Sequence, residues 1–377
     1  MNQGPVNQGP VNQVPVNQKP VTRLRRDLID IGHAAGLDRI GFTTVDPFPR
    51  TLYDLIQRKG DGLSARLGFT YLDPVTASKP GRSFPWARSL VVGARSYLPE
   101  NGSPLPITAT TGRVARVAVV DSYHPLRRAL QALSDALTGR GHRASILCDD
   151  NRLVDRAAAV RAGIGWWGKN TMVLVPGMGP WLLLGSVITD AELPPDQELA
   201  RDCGSCSACL PACPTGALVA PGVLDARRCL AAWAQTPGVV PAEYRVAMGD
   251  RLYGCDDCLE ACPPGTRLLR SAADPRGRID LAWILRAADR DLLERFGHWF
   301  IPDREPDIIR RNALIAAGNS GHRPLVLTVA PYAAHPNWVL RAHALWALHR
   351  LEGPAARAVI ELRRKVEPDP RVRAELV

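Results

Sequence analysis

Long apolar runs are missing from this 377-residue chain. The longest, around Trp181 to Ile188, falls far short of the ~20 residues that a membrane helix needs. The first residues also lack the basic-then-apolar order of a secretion signal. No membrane partner and a cytoplasmic location are therefore expected. No GxGxxG segment with an acidic residue beyond it is present, so a Rossmann-bound flavin or nicotinamide has no support. Acidic residues are outnumbered, with 47 Lys and Arg against 37 Asp and Glu and a net charge of +10. That balance suits a polyanion such as a nucleic acid, but charge alone does not require one. Cysteine is nearly absent from most of the chain: of nine, eight lie between Cys203 and Cys262. Such crowding argues against scattered structural thiols and, in a reducing compartment, favours metal ligation over disulfides. The ninth, Cys148, stands in a strand-like segment and reads as a small core residue.

What is present suffices for two or three cores, since 46% of the residues are hydrophobic. Residues 1–21 carry a proline-punctuated pentamer (VNQGP, VNQVP, VNQKP) with almost nothing to bury, which predicts a disordered tail. From residue 22 to 196 helix and strand patterns alternate. Thr22 is expected to cap a helix ending at Gly36, followed by the strand IGFTTV. SLVVGARSYL and SILCDD read as strands, PLRRALQALSDALTG as an amphipathic helix, and RAAAVRAG as a short helix closed by Gly163. TMVLVPGMGPWLLLGSVIT is predicted to form a hairpin turning between Pro176 and Pro180. Residues 197–273 hold the cysteines, with helical linkers such as LDARRCLAAWAQ. In residues 274–377, RRNALIAAGN and LRAHALWALHR align 31 residues apart, Asn312 on His343, Ala313 on Ala344 and Leu314 on Leu345. That period predicts paired antiparallel helices of a HEAT-like array, with a truncated third copy at DPRVRAELV. Two repeats are few for a free-standing array, so they are expected to dock on the preceding domain. The expected fold class is α+β: an N-terminal α/β domain, a bacterial ferredoxin-like two-cluster domain and C-terminal HEAT-like α-helical repeats.

The cysteine spacing carries the chemistry. CGSCSACLPACP places Cys203, Cys206, Cys209 and Cys213 in the pattern CxxCxxCxxxCP, the ferredoxin run whose fourth cysteine ligates the other cluster of a pair. A partner run is therefore required, and GCDDCLEACP supplies Cys255, Cys258 and Cys262, one ligand short. Cys229 fills the gap. Two 4Fe-4S clusters then use all eight: Cys203, Cys206, Cys209 and Cys262 on the first, Cys213, Cys229, Cys255 and Cys258 on the second. The alternative is zinc, against which stand the third cysteine of CxxCxxC and the closing Cys-Pro. Two neighbouring clusters form an electron relay, which needs an acceptor.

Further segments bear on that acceptor: DRAAAVRAGIGWWGKNTMVL, GPWLLLGS from Gly179 to Ser186, the pair Tyr123 and His124, and the closing helices. With the cysteines, and from Thr22 onward, they resemble the epoxyqueuosine reductase family, the cobalamin-dependent iron–sulfur enzymes that complete queuosine at the tRNA wobble position. The resemblance implies that residues 22–196 bind cobalamin, with Asp149, six residues before Asp155, as proton donor and corrin neighbour. Adjacent Asp150 is the competing carboxylate. It further implies Lys169, Asn170, Val173 and Asp257 as cobalamin neighbours, while Trp166 and Trp167 read as packing residues. The implied reaction is a two-electron reduction of an epoxide to an alkene on tRNAs with a GUN anticodon (those for aspartate, asparagine, histidine and tyrosine). An external electron donor and a monomeric enzyme are implied with it. The chain departs from the family pattern at Asp150, Asn151 and Arg152, at CLAAWAQT and at Pro264 and Gly265, departures expected to bear on the substrate pocket or its tRNA contacts. Two other readings remain: a ferredoxin-type module serving a separate partner, and a related cobalamin reductase of a small molecule.

Overall fold

A computed structural model describes residues 18–65, 67–98, 108–269 and 277–376. Most of the expected N-terminal tail lies outside the described residues, as does the expected boundary between residues 273 and 274. The first helix spans Gln18–Ala34 and so starts four residues before Thr22. Pro20 does not prevent this, because an amide in the first helical turn has no carbonyl partner to lose.

The expected α+β class is observed. Strands Arg39–Thr44, Ser89–Ser96, Leu182–Thr189 and Ala144–Leu147 form one sheet in that order, and every pair is antiparallel. The alternating helix and strand pattern of residues 22–196 thus builds an antiparallel sheet rather than parallel βαβ units. Both faces are covered. Leu28 of the first helix and Leu126, Leu130, Leu133 and Leu137 of helix Tyr123–Thr138 pack on one face. Phe48, Phe84 and the alanines of helix Asp155–Arg161 pack on the other. Double burial explains why LVVGA is apolar without alternation. Gly93 and Gly185 face each other in register. A Cβ on Gly185 would lie 2.5 Å from Leu130 Cδ1 and one on Gly93 2.9 Å from Leu37 Cδ1, so this glycine pair lets the helix layer approach the sheet.

The expected hairpin within residues 171–189 does not form. Val173–Leu174 pairs back on Trp166–Trp167, and only the bridge Val175 to Gly179 marks the turn. Leu182–Thr189 instead takes a central place in the large sheet, where eight residues pair with Ser89–Ser96. A long central strand buries more backbone polar groups in hydrogen bonds than a two-strand ribbon would.

Three distant segments meet in a second sheet, in which Thr111–Val114 lies between Arg251–Tyr253, parallel, and Arg278–Asp280, antiparallel. The C-terminal helices Asp307–Ser320 and Trp338–Leu351 pack together, and one core runs from them into Val114, Leu252 and Tyr253. The aligned repeat positions do the docking. Asn312 Nδ2 donates to Ala234 O and Leu252 O, both at 2.8 Å. His343 Nε2 accepts from Val240 N–H at 3.2 Å while Nδ1 donates to Val339 O at 2.7 Å. Burial holds this imidazole well below its usual range, as a neutral tautomer. Arg311, also buried, donates to Trp233 O in helix Leu230–Gln235 and to Thr236 O and Gly238 O just beyond it.

Candidate functional site

Strand register decides which residues share an end of the large sheet. Leu147 pairs with Ser186 and Ser96 with Leu182. The chain leaving at Cys148 and Asp149 therefore emerges at the same end as Tyr97 and Trp181. Asp149 has φ +57°, a left-handed conformation that aspartate tolerates better than most residues. It is solvent-accessible, yet desolvation by the surrounding protein raises its carboxyl above the usual range, partly offset by Arg127, with the Asp150 charge adding to the rise.

Asp150 behaves in the opposite way. Arg152 donates to its carboxylate from Nε at 2.9 Å and Nη2 at 2.6 Å, and from its backbone N–H at 2.9 Å. These bonds hold Asp150 below the usual carboxylate range. The Asp150-Asn151-Arg152 departure thus closes a turn behind Asp149, and of the two competing carboxylates only Asp149 is biased toward the protonated form. A third carboxyl sits behind it. Asp155, at the start of helix Asp155–Arg161, has a buried Oδ1 with no hydrogen-bond partner. Burial and the Asp149 charge raise it well above the usual range, only partly countered by Arg156 and the Asp149 backbone N–H. Tyr123 is within electrostatic reach of Asp149, Asp155 and Arg156, and burial raises its phenol. Sequence reasoning missed Asp155 as a site group. There it served only as the landmark six residues beyond Asp149.

Among the clustered cysteines, Cys203, Cys206, Cys209 and Cys262 share one small cavity with Lys169, Asn170, Leu174 and Pro263. Cys213, Cys229 and Cys255 are neighbours of Cys258, and their charges act on it before that of Cys209. Burial pushes Cys255 and Cys262 each up to about 11, and neighbouring thiolates add to the rise. Thiols so crowded cannot all ionise unless a cationic centre compensates them, so the donor chemistry fits iron. Among the described residues no three His, Cys, Asp or Glu side chains converge on a single ion. Cys148 is buried in the core with its thiol pushed up to about 12, apart from both groups.

The remaining candidates take specific places. Lys169 Nζ donates to Gly204 O at 2.7 Å, and Asn170 Nδ2 reaches Cys258 O at 3.5 Å while its Oδ1 accepts from Met172 N–H. This turn therefore bridges the loops carrying both cysteine groups. Val173 is buried in the sheet core, so its side chain packs rather than projects. Asp257 is ion-paired with Arg251, and Arg113 Nη2 lies 3.8 Å away.

The sheet end and the cysteine module are joined closely. Arg116, almost fully buried, donates to Asp256 Oδ2 at 3.1 Å and to Glu260 at 2.5 Å, and its guanidinium lies 5.0 Å from the Trp181 ring centre. Trp181 Nε1 donates to Gly265 O at 3.0 Å. A Cβ on Gly265 would stand 2.6 Å from Leu259 O and 3.1 Å from Trp181 Nε1. Gly265 of the Pro264-Gly265 departure is thus packed into this junction. Across the junction Tyr97 feels the charges of Asp256, Cys258 and Tyr123, and Tyr253 feels that of Asp149.

The family described as 4Fe-4S double cluster binding domain matches residues 202–265. The epoxyqueuosine reductase of Bacillus subtilis is 34% identical over 367 residues, covering 94% of each chain. A crystal structure of epoxyqueuosine reductase with a tRNA-Tyr epoxyqueuosine-modified stem loop superposes with a TM-score of 0.86 at 34% identity, covering 94% of this chain and 97% of that one. A Bacillus subtilis structure whose catalytic aspartate loop is swung out of the active site also gives 0.86, at 32% identity over 94% and 98%.

Proposed function

We propose, from the premise that the chain belongs to the epoxyqueuosine reductase family, that it reduces the epoxide of epoxyqueuosine in the wobble position of tRNA, with Asp149 as proton donor. The observation that carries the assignment is the opposed electrostatics of neighbouring carboxyls: Asp149 is raised, whereas Asp150 is tied to Arg152 and lowered. Carbon–oxygen cleavage leaves an oxyanion that needs a proton, and a carboxyl biased toward its protonated form is better suited to supply it than one held as a carboxylate. The relative with its catalytic aspartate loop swung out supports a donor on a loop, as Asp149 is.

The chain carries iron–sulfur clusters. In our reading Cys203, Cys206, Cys209 and Cys262 hold one, and Cys213, Cys229, Cys255 and Cys258 the other, which lies nearer Asp149. Cobalamin is the fitting acceptor for the region between them. The orphaned Asp155 Oδ1 can accept from an amide of the corrin periphery, and solvent-accessible Arg156 and Asp149 line the same side. When bound, cobalamin supplies the low-potential electron pair that the deoxygenation consumes. Lys169, Asn170 and Asp257 then act between cofactors, holding the cluster loops in place, and Val173 contributes backbone and packing. Residues 22–196 are the cobalamin-binding catalytic unit, 197–273 the cluster unit and 274–377 a HEAT-like repeat. The net charge of +10 serves attraction to tRNA with GUN anticodons. The enzyme acts as a cytoplasmic monomer supplied by an external electron donor, and no helix among the described residues is long and apolar enough to cross a membrane.

Protein reconstituted with iron, sulfide and cobalamin, given a reductant and epoxyqueuosine-containing tRNA, should yield a nucleoside lighter by one oxygen on mass spectrometry. Asp149→Ala should abolish that loss while keeping both clusters and the cobalamin spectrum. An unchanged nucleoside with the wild-type holoenzyme overturns the reading.

A further inference from the structure

The hairpin that pairs Trp166–Trp167 with Val173–Leu174 turns through residues 168 to 172, and the turn is fixed at several points. Gly168 N–H donates to Met172 O at 2.8 Å and Thr171 N–H to Gly168 O at 3.0 Å. Asn170 Oδ1 accepts from Met172 N–H at 3.2 Å. Thr171 holds φ +68°, a left-handed conformation that a β-branched residue keeps only where its surroundings impose it. From outside the turn, Gly222 N–H donates to Lys169 O at 2.9 Å. The backbone of Lys169 is therefore held in place from both sides.

The turn presents one cation. Lys169 lines the cavity shared by Cys203, Cys206, Cys209 and Cys262, and it is the only charged side chain besides the thiols that does so. Its Nζ is pinned on Gly204 O at 2.7 Å, in the loop between Cys203 and Cys206. Asp202, the acid of that loop, accepts instead from Gly204 N–H at 2.6 Å. Beside the turn, Trp166, Leu174 and Cys262 are buried together, with Leu199 and Cys203 packed on them. An apolar wall of this kind does little to screen a charge. Of the nine cysteines only Cys206 is exposed, so this group is the end of the relay open to an external donor.

We infer that Lys169 sets the reduction potential of the first cluster, its ammonium favouring the reduced form and so easing reduction by the external donor. The donor loses one electron, and the cluster with its four thiolates becomes one charge more negative. A fixed cation at the cavity wall stabilises that state more than the oxidised one. The inference rests on the proposed ligand assignment, and it gives Lys169 an electrostatic effect in addition to its hold on the loop.

The test is a potentiometric titration of the iron-loaded holoprotein, with each reduced cluster followed by electron paramagnetic resonance. Cys206→Ser changes one ligand of the first group and so marks its signal. Lys169→Gln removes the charge while keeping an N–H donor, and Lys169→Arg keeps the charge. Lys169 is itself only half-buried, so solvent takes up part of the effect. In Lys169→Gln the equilibrium constant for one-electron reduction of the first cluster should fall about tenfold, a midpoint lower by about 59 mV. The second midpoint and the iron content should match wild type, and Lys169→Arg should keep the wild-type midpoint. An unchanged first midpoint in Lys169→Gln, an equal fall at both clusters, or an equal fall in Lys169→Arg overturns the role. Loss of iron from either variant assigns Lys169 to loop-holding alone and overturns it too. A wild-type holoprotein with a single reducible cluster is a different result, and it overturns the ligand assignment itself.

Discussion

Asn312→Leu should destabilise the junction between the C-terminal helices and the cluster module by about 2–7 kcal/mol. The side chain is 1% exposed and nearly isosteric with leucine, so volume is conserved and the change isolates its hydrogen bonds. Four are removed: Nδ2 to Ala234 O and to Leu252 O at 2.8 Å each, and Oδ1 from Arg311 Nε at 3.1 Å and Nη2 at 2.9 Å. Each stranded buried carbonyl costs about 1–3 kcal/mol, which gives about 2–6 for the two. Arg311 keeps its carbonyl partners at Trp233, Thr236 and Gly238, so its share is about 1 kcal/mol or less. Ala234 lies in the helix that follows Cys229, and Leu252 lies three residues before Cys255. Loosening should therefore fall on the second cysteine group. The assay is urea unfolding of iron-loaded protein, followed both by circular dichroism and by bleaching of the cluster absorption, with the rate of iron loss to a chelator. The comparison is Asn319→Leu. Asn319 also donates to two carbonyls, at 2.8 and 3.0 Å, but is only partly buried, so water can replace it and the cost should be about 1–2 kcal/mol. Equal losses for the two variants, or a loss below 1 kcal/mol for Asn312→Leu, would refute the docking role.

Asp149→Asn should abolish deoxygenation yet leave the protein at least as stable as wild type at pH 8. The folded carboxyl is raised above its unfolded value near 3.8, so the native state binds its proton more tightly and wild-type stability falls as pH rises from the unfolded value through the folded one. The gap in melting temperature between variant and wild type should therefore widen in the variant's favour from pH 4 upward, and a constant gap contradicts the raised pKa. Wild-type turnover should fall toward tenfold per pH unit once the acid form is titrated away. Cys229→Ala should halve the iron bound after reconstitution, whereas Cys148→Ala, a change in the core beside the sheet, should leave iron unchanged. Equal iron in both variants would remove Cys229 from the ligand set. Arg116→Met should cost about 3–5 kcal/mol, because buried Asp256 loses its guanidinium partner and keeps only the backbone N–H of residue 116. Arg116→Met combined with Asp256→Leu should recover much of that loss, and no recovery would contradict the ion-pair reading.

The sequence by itself determined whatever depends on short-range spacing. A CxxCxxCxxxCP run must bring its thiols together whatever the rest of the fold does, and a second run one cysteine short of four points to Cys229, which lies between the two runs, as the proposed eighth ligand. The 31-residue offset likewise singled out Asn312 and His343, two side chains whose hydrogen bonds dock these helices. Most helices and strands of the large sheet were legible from their apolar period, and their ends shifted where a cap or a first-turn proline permitted it. Tertiary structure decided what depends on which surfaces meet. Whether Leu182–Thr189 folds back as a hairpin or enters a four-stranded sheet is set by competition among distant strands, which local pattern does not reveal. The choice between Asp149 and Asp150 as acid is set by desolvation and by the partner each carboxyl finds, not by residue type. The same holds for Asp155, whose buried oxygen is visible only once the helix has docked.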